Sequence, residues 1–167
     1  MDVTIRPATE SDLHAVADIY AREVRTGIAT FDLEPPPLSY WRARLDSDEP
    51  GDHLLVAEGD AVLGYAYSSA YRPRPAYHLT RETSIYLAEP ARGRGVGRRL
   101  YDDLLTRLEA DGMHCAVALV ALPNPASEAL HRTTGFRHLG TMTEVGRKFD
   151  RWVDTAWFEL HLPRSLP

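Results

Sequence analysis

One stretch of the chain, residues 82–111, constrains the rest. It reads E-T-S-I-Y-L-A-E-P, then A-R-G-R-G-V-G-R-R, then a long amphipathic run. Residues 83–87 mix β-branched, aromatic and aliphatic side chains and predict a strand. Glycines at 93, 95 and 97 predict a turn whose backbone takes unusual dihedrals and lets a ligand approach closely. From Val96 the apolar residues recur at Leu100, Leu104, Leu105 and Leu108, which is helical spacing, and Gly112 supplies a stop. The expected order is strand, glycine turn, helix.

A helix start carries free N–H groups and the positive end of the helix dipole, so it suits phosphate oxygens. Arg92, Arg94, Arg98 and Arg99 add positive charge there, in a chain whose formal net charge is −5. The residues alone leave two readings open: a site for a phosphate-bearing ligand, or a solvated basic helix start. Two phosphate motifs are excluded. No G-K-[ST] is present for a P-loop, and the spacing G-x-G-x-G, with Arg at 98, is not the dinucleotide fingerprint. What remains is R-x-x-G-x-G, at Arg92, Gly95 and Gly97.

A chain of 167 residues is most simply one domain spanning 1–167, large enough to bury a real core. The acidic balance argues against a nucleic-acid binder. The one cysteine, Cys115, lies in an apolar run and is expected in the core; zinc-ligand spacings are absent, and no metal is expected. The first residues hold no apolar signal segment, and the longest apolar run is too short to cross a bilayer, so no membrane association and a cytoplasmic location are expected.

Residues 3–6 predict a first strand ended by Pro7. Thr9 with Asp12 resembles a capping box, and Leu13, Val16, Ala17, Tyr20 and Val24 form one helical stripe up to Gly27. Residues 26–32 form a loop in which Phe31 either lines a pocket or plugs the structure beneath it. Ser39 is expected to cap a short helix carrying Trp41 and Leu45. Strands are expected at 53–58 and 61–71, joined by the two-residue turn Gly59-Asp60. In the second of these, Val62, Gly64 and Ala66 should share one face and Leu63, Tyr65 and Tyr67 the other. Residues 71–77, Y-R-P-R-P-A-Y, form a proline-stiffened loop. Its Arg72 and Arg74 either fork onto a carboxylate or are ordinary surface arginines.

Residues 113–122 are continuously apolar and predict a strand buried on both faces. Asn124 is the expected N-cap and Pro125 the first residue of a helix running to Thr134, with Gly135 behind it. Strands at 136–145 and 153–162, joined across G-R-K-F-D-R-W, complete the chain. The order β-α-α-β-β-β-α-β-α-β-β predicts an α/β fold with a central mixed sheet and helices on both faces. The parallel pair after the glycine turn is expected to splay at its ends and admit a ligand.

The R-x-x-G-x-G turn, the segment N-P-A-S-E-A-L-H-R-T-T-G-F at 124–136 and the element order together resemble the GNAT superfamily of N-acetyltransferases. More narrowly, T-F-D at 30–32, Y-R-P-R-P-A-Y at 71–77 and V-G-R-K-F-D-R-W-V-D at 145–154 resemble its phosphinothricin and methionine sulfoximine acetyltransferase group. The resemblance covers nearly the whole chain. It implies the GNAT fold, acetyl-CoA as donor and transfer to the free amine of a small amino-acid analogue.

By that resemblance, Ile85, Tyr86 and Leu87 pair with the pantetheine arm. Arg92, Gly93, Arg94, Gly95, Val96, Gly97 and Arg98 hold the pyrophosphate, and Asn124 and Ser127 touch the cofactor. Glu82 is implied as the base; the residues alone also allow an exposed strand-end glutamate. Many members carry a tyrosine at the position of His131, which here either protonates the departing thiolate or only orients the reactants. Arg72 and Arg74 are implied to bind the acidic end of the acceptor, and Phe31 and Tyr77 to pack its chain. The resemblance also implies a homodimer, with Lys148 adding a charge across it. Alternatives are a GNAT enzyme for a polyamine, an aminoglycoside or a protein N-terminus, or a non-catalytic acyl-CoA sensor.

Overall fold

The computed structural model describes residues 2–163. The elements run β1 (Thr4–Pro7), α1 (Leu13–Thr26), α2 (Leu38–Leu45), β2 (His53–Glu58), β3 (Val62–Ala70), β4 (Thr80–Leu87), α3 (Val96–Ala110), β5 (Cys115–Ala121), α4 (Pro125–Thr133), β6 (Arg137–Lys148) and β7 (Arg151–His161). This is the expected order. The strands form one mixed sheet in the order β1-β2-β3-β4-β5-β7-β6, antiparallel throughout except for the β4–β5 pair.

Each face of the sheet is covered. On one side α1 and α2 press Leu13, Val16, Tyr20, Val24 and Trp41 onto Val56, Tyr65 and Tyr67. Trp41 is fully buried and meets Tyr20 and Tyr65 edge-on, at ring separations of 5.2 and 5.3 Å. Burial of a side chain this size contributes about 3 kcal/mol. On the other side α3 serves two clusters. Its Leu100 and Leu104 pack on Leu55 and Ala66, and its Leu105 and Leu108 pack on Ala116, Ala118 and Phe158.

Several local expectations are corrected. Ser39 does not cap α2, which begins at Leu38 behind an extended Pro37. The β2–β3 turn spans three residues, since Glu58 pairs with Val62 and Gly59 N–H donates to the Ala61 carbonyl. A bulge follows at once, with Ala57 opposite Gly64. It turns Leu63 to the α3 side, with Ala66, while Val62 joins Tyr65 and Tyr67. Strand β5 is not buried on both faces: Leu119 is exposed and Cys115 half-buried, on the side that α3 does not cover. The last two strands are longer than expected. They meet in a tight turn at Phe149 and Asp150, both with left-handed φ (50° and 57°).

Candidate active site

The site is opened by a short parallel seam. β4 and β5 pair at Thr80–Cys115, Arg81–Ala116 and Glu82–Val117, and no further pair follows. Beyond that rung the two strands diverge, so the β4 edge facing β5 has no strand partner. A cleft of about 460 Å³ fills the fork. Ile85, Tyr86 and Leu87 line it from β4, Leu119 and Ala121 from β5, and Asn124, Ser127 and His131 from α4.

The glycine turn closes one end. Gly93 and Gly95 hold φ of 72° and 76°, and an added Cβ at either would meet nothing within 4 Å. Gly95 occupies the N-cap of α3 and brings no side-chain acceptor, which leaves the first-turn N–H groups free for a ligand. Gly97 is needed for a different reason: a Cβ there would sit 3.3 Å from Leu130 and Leu87, at the close approach of α3 to α4 and β4. Arg92 and Arg98 line the cleft. Arg92 also reaches Glu23 at 3.7 Å and the Leu87 carbonyl at 3.2 Å, and Arg98 pairs with Asp102. Two residues of the expected pyrophosphate set do not line the cleft. Val96 turns its side chain into the core, and Arg94 is exposed outside.

The cleft floor is a hydrogen-bonded chain. The Asn124 side chain caps α4 by accepting from Ser127 N–H at 3.1 Å, with Pro125 behind it as expected. His131 is only 2% exposed. Its Nδ1 lies 2.7 Å from the Ser127 carbonyl, an oxygen that can only accept, so Nδ1 carries a proton. Its Nε2 meets the Tyr101 hydroxyl at 2.9 Å. Desolvation lowers the His131 pKa, the ring is neutral, and Nε2 accepts from the phenol. The fully buried Tyr101 oxygen is 3.5 Å from Thr83 Oγ1, which in turn donates to the Val117 carbonyl at 3.4 Å.

Glu82 lies on the last rung of the seam and is half-buried. Burial raises its pKa, and the nearby Arg72 charge opposes the rise. The loop at 71–77 sits over this region. Tyr71 packs edge-on against Tyr77 at 5.4 Å and Trp157 at 6.4 Å, and the Arg72 guanidinium lies 5.0 Å above the Tyr71 ring. Arg72, Arg74 and Tyr77 do not line the main cleft. They border a second pocket of about 470 Å³, shared with Arg81, His78 and Met113. Phe31 lies over Gly146 of β6, where an added Cβ would come within 2.2 Å of its ring. Lys148 is 3% exposed and donates to the Thr30 carbonyl of its own chain at 2.8 Å. Burial lowers its pKa, against the pull of Glu23 and Asp32.

Residues 13–136 match the Acetyltransferase (GNAT) family. The chain is a GNAT acetyltransferase. GNAT acetyltransferases use acetyl-CoA as donor. The chain is 45% identical to phosphinothricin N-acetyltransferase of Streptomyces coelicolor over 95% of each chain. It is 36% identical to the L-methionine sulfoximine/L-methionine sulfone acetyltransferase of Pseudomonas aeruginosa over the full length of both. A phosphinothricin acetyltransferase from Sinorhizobium meliloti, solved with acetyl-CoA, superposes with a TM-score of 0.91 at 39% identity, covering 97% of this chain and 89% of that one.

Three residues in or beside the cleft of this GNAT enzyme escape sequence reasoning: Thr83 and Tyr101 line it, and Trp157 pairs with the cleft-lining Leu119. Tyr101 stands beside the α3 stripe and belongs to no motif, yet its hydroxyl holds the His131 ring. Thr83 reads as a strand residue, yet it links Tyr101 to β5. Trp157 reads as an aromatic of the last strand, yet it contacts Tyr71 of the arginine loop. The only sequence signal for Trp157 was alternation, which places it on the same β7 face as Glu159, opposite Val117 and in the row of Glu82.

Proposed function

We propose that this enzyme acetylates the free amine of a small amino-acid analogue of the phosphinothricin or methionine sulfoximine type, by direct attack of the amine on the acetyl-CoA thioester. The observation that carries this reading is the place of half-buried Glu82, on the last rung of the β4–β5 seam and next in the chain to the cleft-lining Thr83, with the Arg72 charge nearby. Burial raises the Glu82 pKa, which makes its carboxylate a better acceptor for the proton of an ammonium group that titrates near ~10. Arg72 and Arg74 supply forked positive charge for the acidic end of the acceptor. The named relatives act on such acceptors.

In this reading the pyrophosphate rests on the α3 N-terminus with Arg92 and Arg98, and the pantetheine arm lies along the open edge of β4. The ammonium passes one proton to Glu82, directly or through water, and Glu82 releases it to solvent; the neutral amine attacks the thioester carbonyl, the carbon–sulfur bond breaks, and the second nitrogen proton ends on the departing thiolate. Free thiols titrate near ~8.5, so departure at neutral pH does not require a strong acid at the sulfur. His131 acts here as a positioning residue, because both ring nitrogens are engaged by Ser127 and Tyr101. Lys148 holds the Phe31 loop within one chain. A homodimer is part of this proposal. The β6–β7 hairpin supports it, with Leu139, Met142, Val145, Phe149 and Trp152 all exposed and β6 at the sheet edge.

The test is release of free thiol from acetyl-CoA in the presence of phosphinothricin, methionine sulfoximine, methionine sulfone, ordinary amino acids, spermidine and a short peptide. Saturable turnover confined to the first three is expected. Turnover with spermidine or peptide alone would move the enzyme to another acceptor class. Saturable cofactor binding with no turnover on any amine would make it a sensor.

A further inference from the structure

Outside the acetyl-transfer site, the face of β5 and β7 away from α3 gathers three metal-ligating side chains. Cys115 of β5 pairs directly with His161 of β7 across antiparallel strands. Glu159 stands two residues before His161 and so projects from the same face. The thiol sulfur, a carboxylate oxygen and a ring nitrogen all lie within 4.8 Å of one another. Cys115 and Glu159 are partly buried, and His161 is exposed, so an ion has an open path from solvent.

We propose that Cys115, Glu159 and His161 form a zinc(II) site. One thiolate, one imidazole and one carboxylate match the ligands zinc takes; magnesium and calcium require oxygen donors and make no use of the sulfur. With metal–ligand bonds of ~2.0–2.3 Å, donors around one tetrahedral ion stand roughly 3.5 Å apart. The three atoms therefore need to close by at most about 1 Å, a shift within reach of side-chain torsions on a strand pair. As zinc binds, the sulfur–hydrogen bond of Cys115 breaks, a sulfur–zinc bond forms and the proton passes to solvent. Water fills the fourth position.

Two neighbours support the arrangement. Arg137 pairs with Oε1 of Glu159 and restrains that carboxylate. The His114 ring stacks on His161 with centroids 5.5 Å apart and restrains its orientation. The site is separate from the acetyl-CoA cleft, none of whose lining residues it shares. It does stand in the neighbourhood of the base, since Val117 pairs with both Glu82 and Glu159.

The experiment titrates the untagged, reduced chain with cobalt(II) as a spectroscopic probe, then displaces it with zinc(II). A sulfur-to-cobalt charge-transfer band in the near ultraviolet, saturating at one ion per chain and bleached by zinc, is expected. Cys115→Ser should abolish the band. His161→Ala, a change at an exposed position that leaves the fold intact, should weaken cobalt binding by tenfold or more. Absence of the band at saturating cobalt overturns the proposal, as does a band that keeps its intensity and midpoint in His161→Ala. Magnesium in place of zinc should leave the cobalt band unchanged, and displacement by magnesium at equal concentration would refute the sulfur-selective assignment.

Discussion

The hydroxyl of Tyr101 donates to Nε2 of His131 across 2.9 Å, beneath the fork in the sheet. That bond joins α3 to α4, and its extensions through Thr83 to Val117 and through Nδ1 to Ser127 tie both strands of the fork to the same chain of contacts. A neutral ring so held has no proton aimed into the cleft. Replacing Tyr101 with Phe leaves Nε2 unpaired, and we expect a lower kcat with an unmoved pH profile. Loss of one limb of that profile in His131→Gln would instead give His131 a proton-transfer role.

The same burial makes His131 a source of acid sensitivity. Its pKa is lowered in the folded state, so at pH above the unfolded value of ~6.5 both states are neutral and no difference arises. As the pH falls below ~6.5 the unfolded chain takes the proton first, and stability drops until the folded pKa is reached. In His131→Gln, whose side chain does not titrate, the melting temperature should decline less than the parent's between pH 7.5 and 5.5. Parallel curves for the two proteins would show that another group governs the acid limb.

As the proposed base, Glu82 must be ionised to take a proton, and burial raises its pKa. The rate constant kcat/KM for the acceptor should therefore fall on the acid side at a higher pH than a fully exposed glutamate would give. Glu82→Gln should reduce it by ~10² or more. Arg72→Ala removes the charge that opposes the rise and should shift the acid limb to higher pH while raising KM for the acceptor. An acid limb that stays in place would separate Arg72 from Glu82 electrostatically.

Phe31 depends on the absence of a side chain at Gly146. Gly146→Ala drives a Cβ into the ring and must displace the loop or the hairpin. The expected result is a several-fold higher KM for the acceptor with the KM for acetyl-CoA little changed. Equal increases in both would place Phe31 outside acceptor binding.

Gly95 offers a complementary case. Its φ of 76° strains any residue with a Cβ by roughly 1 kcal/mol, although the unliganded protein has open space there. Gly95→Ala should therefore lose little stability but bind acetyl-CoA at least tenfold more weakly by calorimetry. A large drop in melting temperature with cofactor affinity retained would reverse that assignment.

What the sequence made legible was carried by local chemistry. The glycine turn and the Asn124-Pro125 helix start are each dictated by residues adjacent in the chain, and both stand where expected. The misread features depend on partners far away. Leu63 changes face because a bulge opposite Ala57 adds a residue to its strand. The β6–β7 turn falls within the expected connection at 146–152, but its tightness was hidden because Phe149 and Asp150, neither a glycine, adopt left-handed φ. Cys115 read as core because its neighbours are apolar, yet only the alternate residues of β5 face α3. The Tyr71–Trp157 contact joins residues 86 positions apart and left no local trace.

The seam of three rungs between β4 and β5 has a consequence for how the molecule holds together. The sheet is two antiparallel ribbons, β1 to β4 and β5 with β7 and β6, fastened at one end and bridged by α3, whose leucines serve both cores. In the proposed complex, a pantetheine arm laid in the gap would act as a borrowed strand between the ribbons. Those amide hydrogens of 83–87 that point into the fork, rather than at β3, should then exchange slowly only while the cofactor is in place, so that each round of transfer assembles and dismantles a part of the enzyme's own architecture.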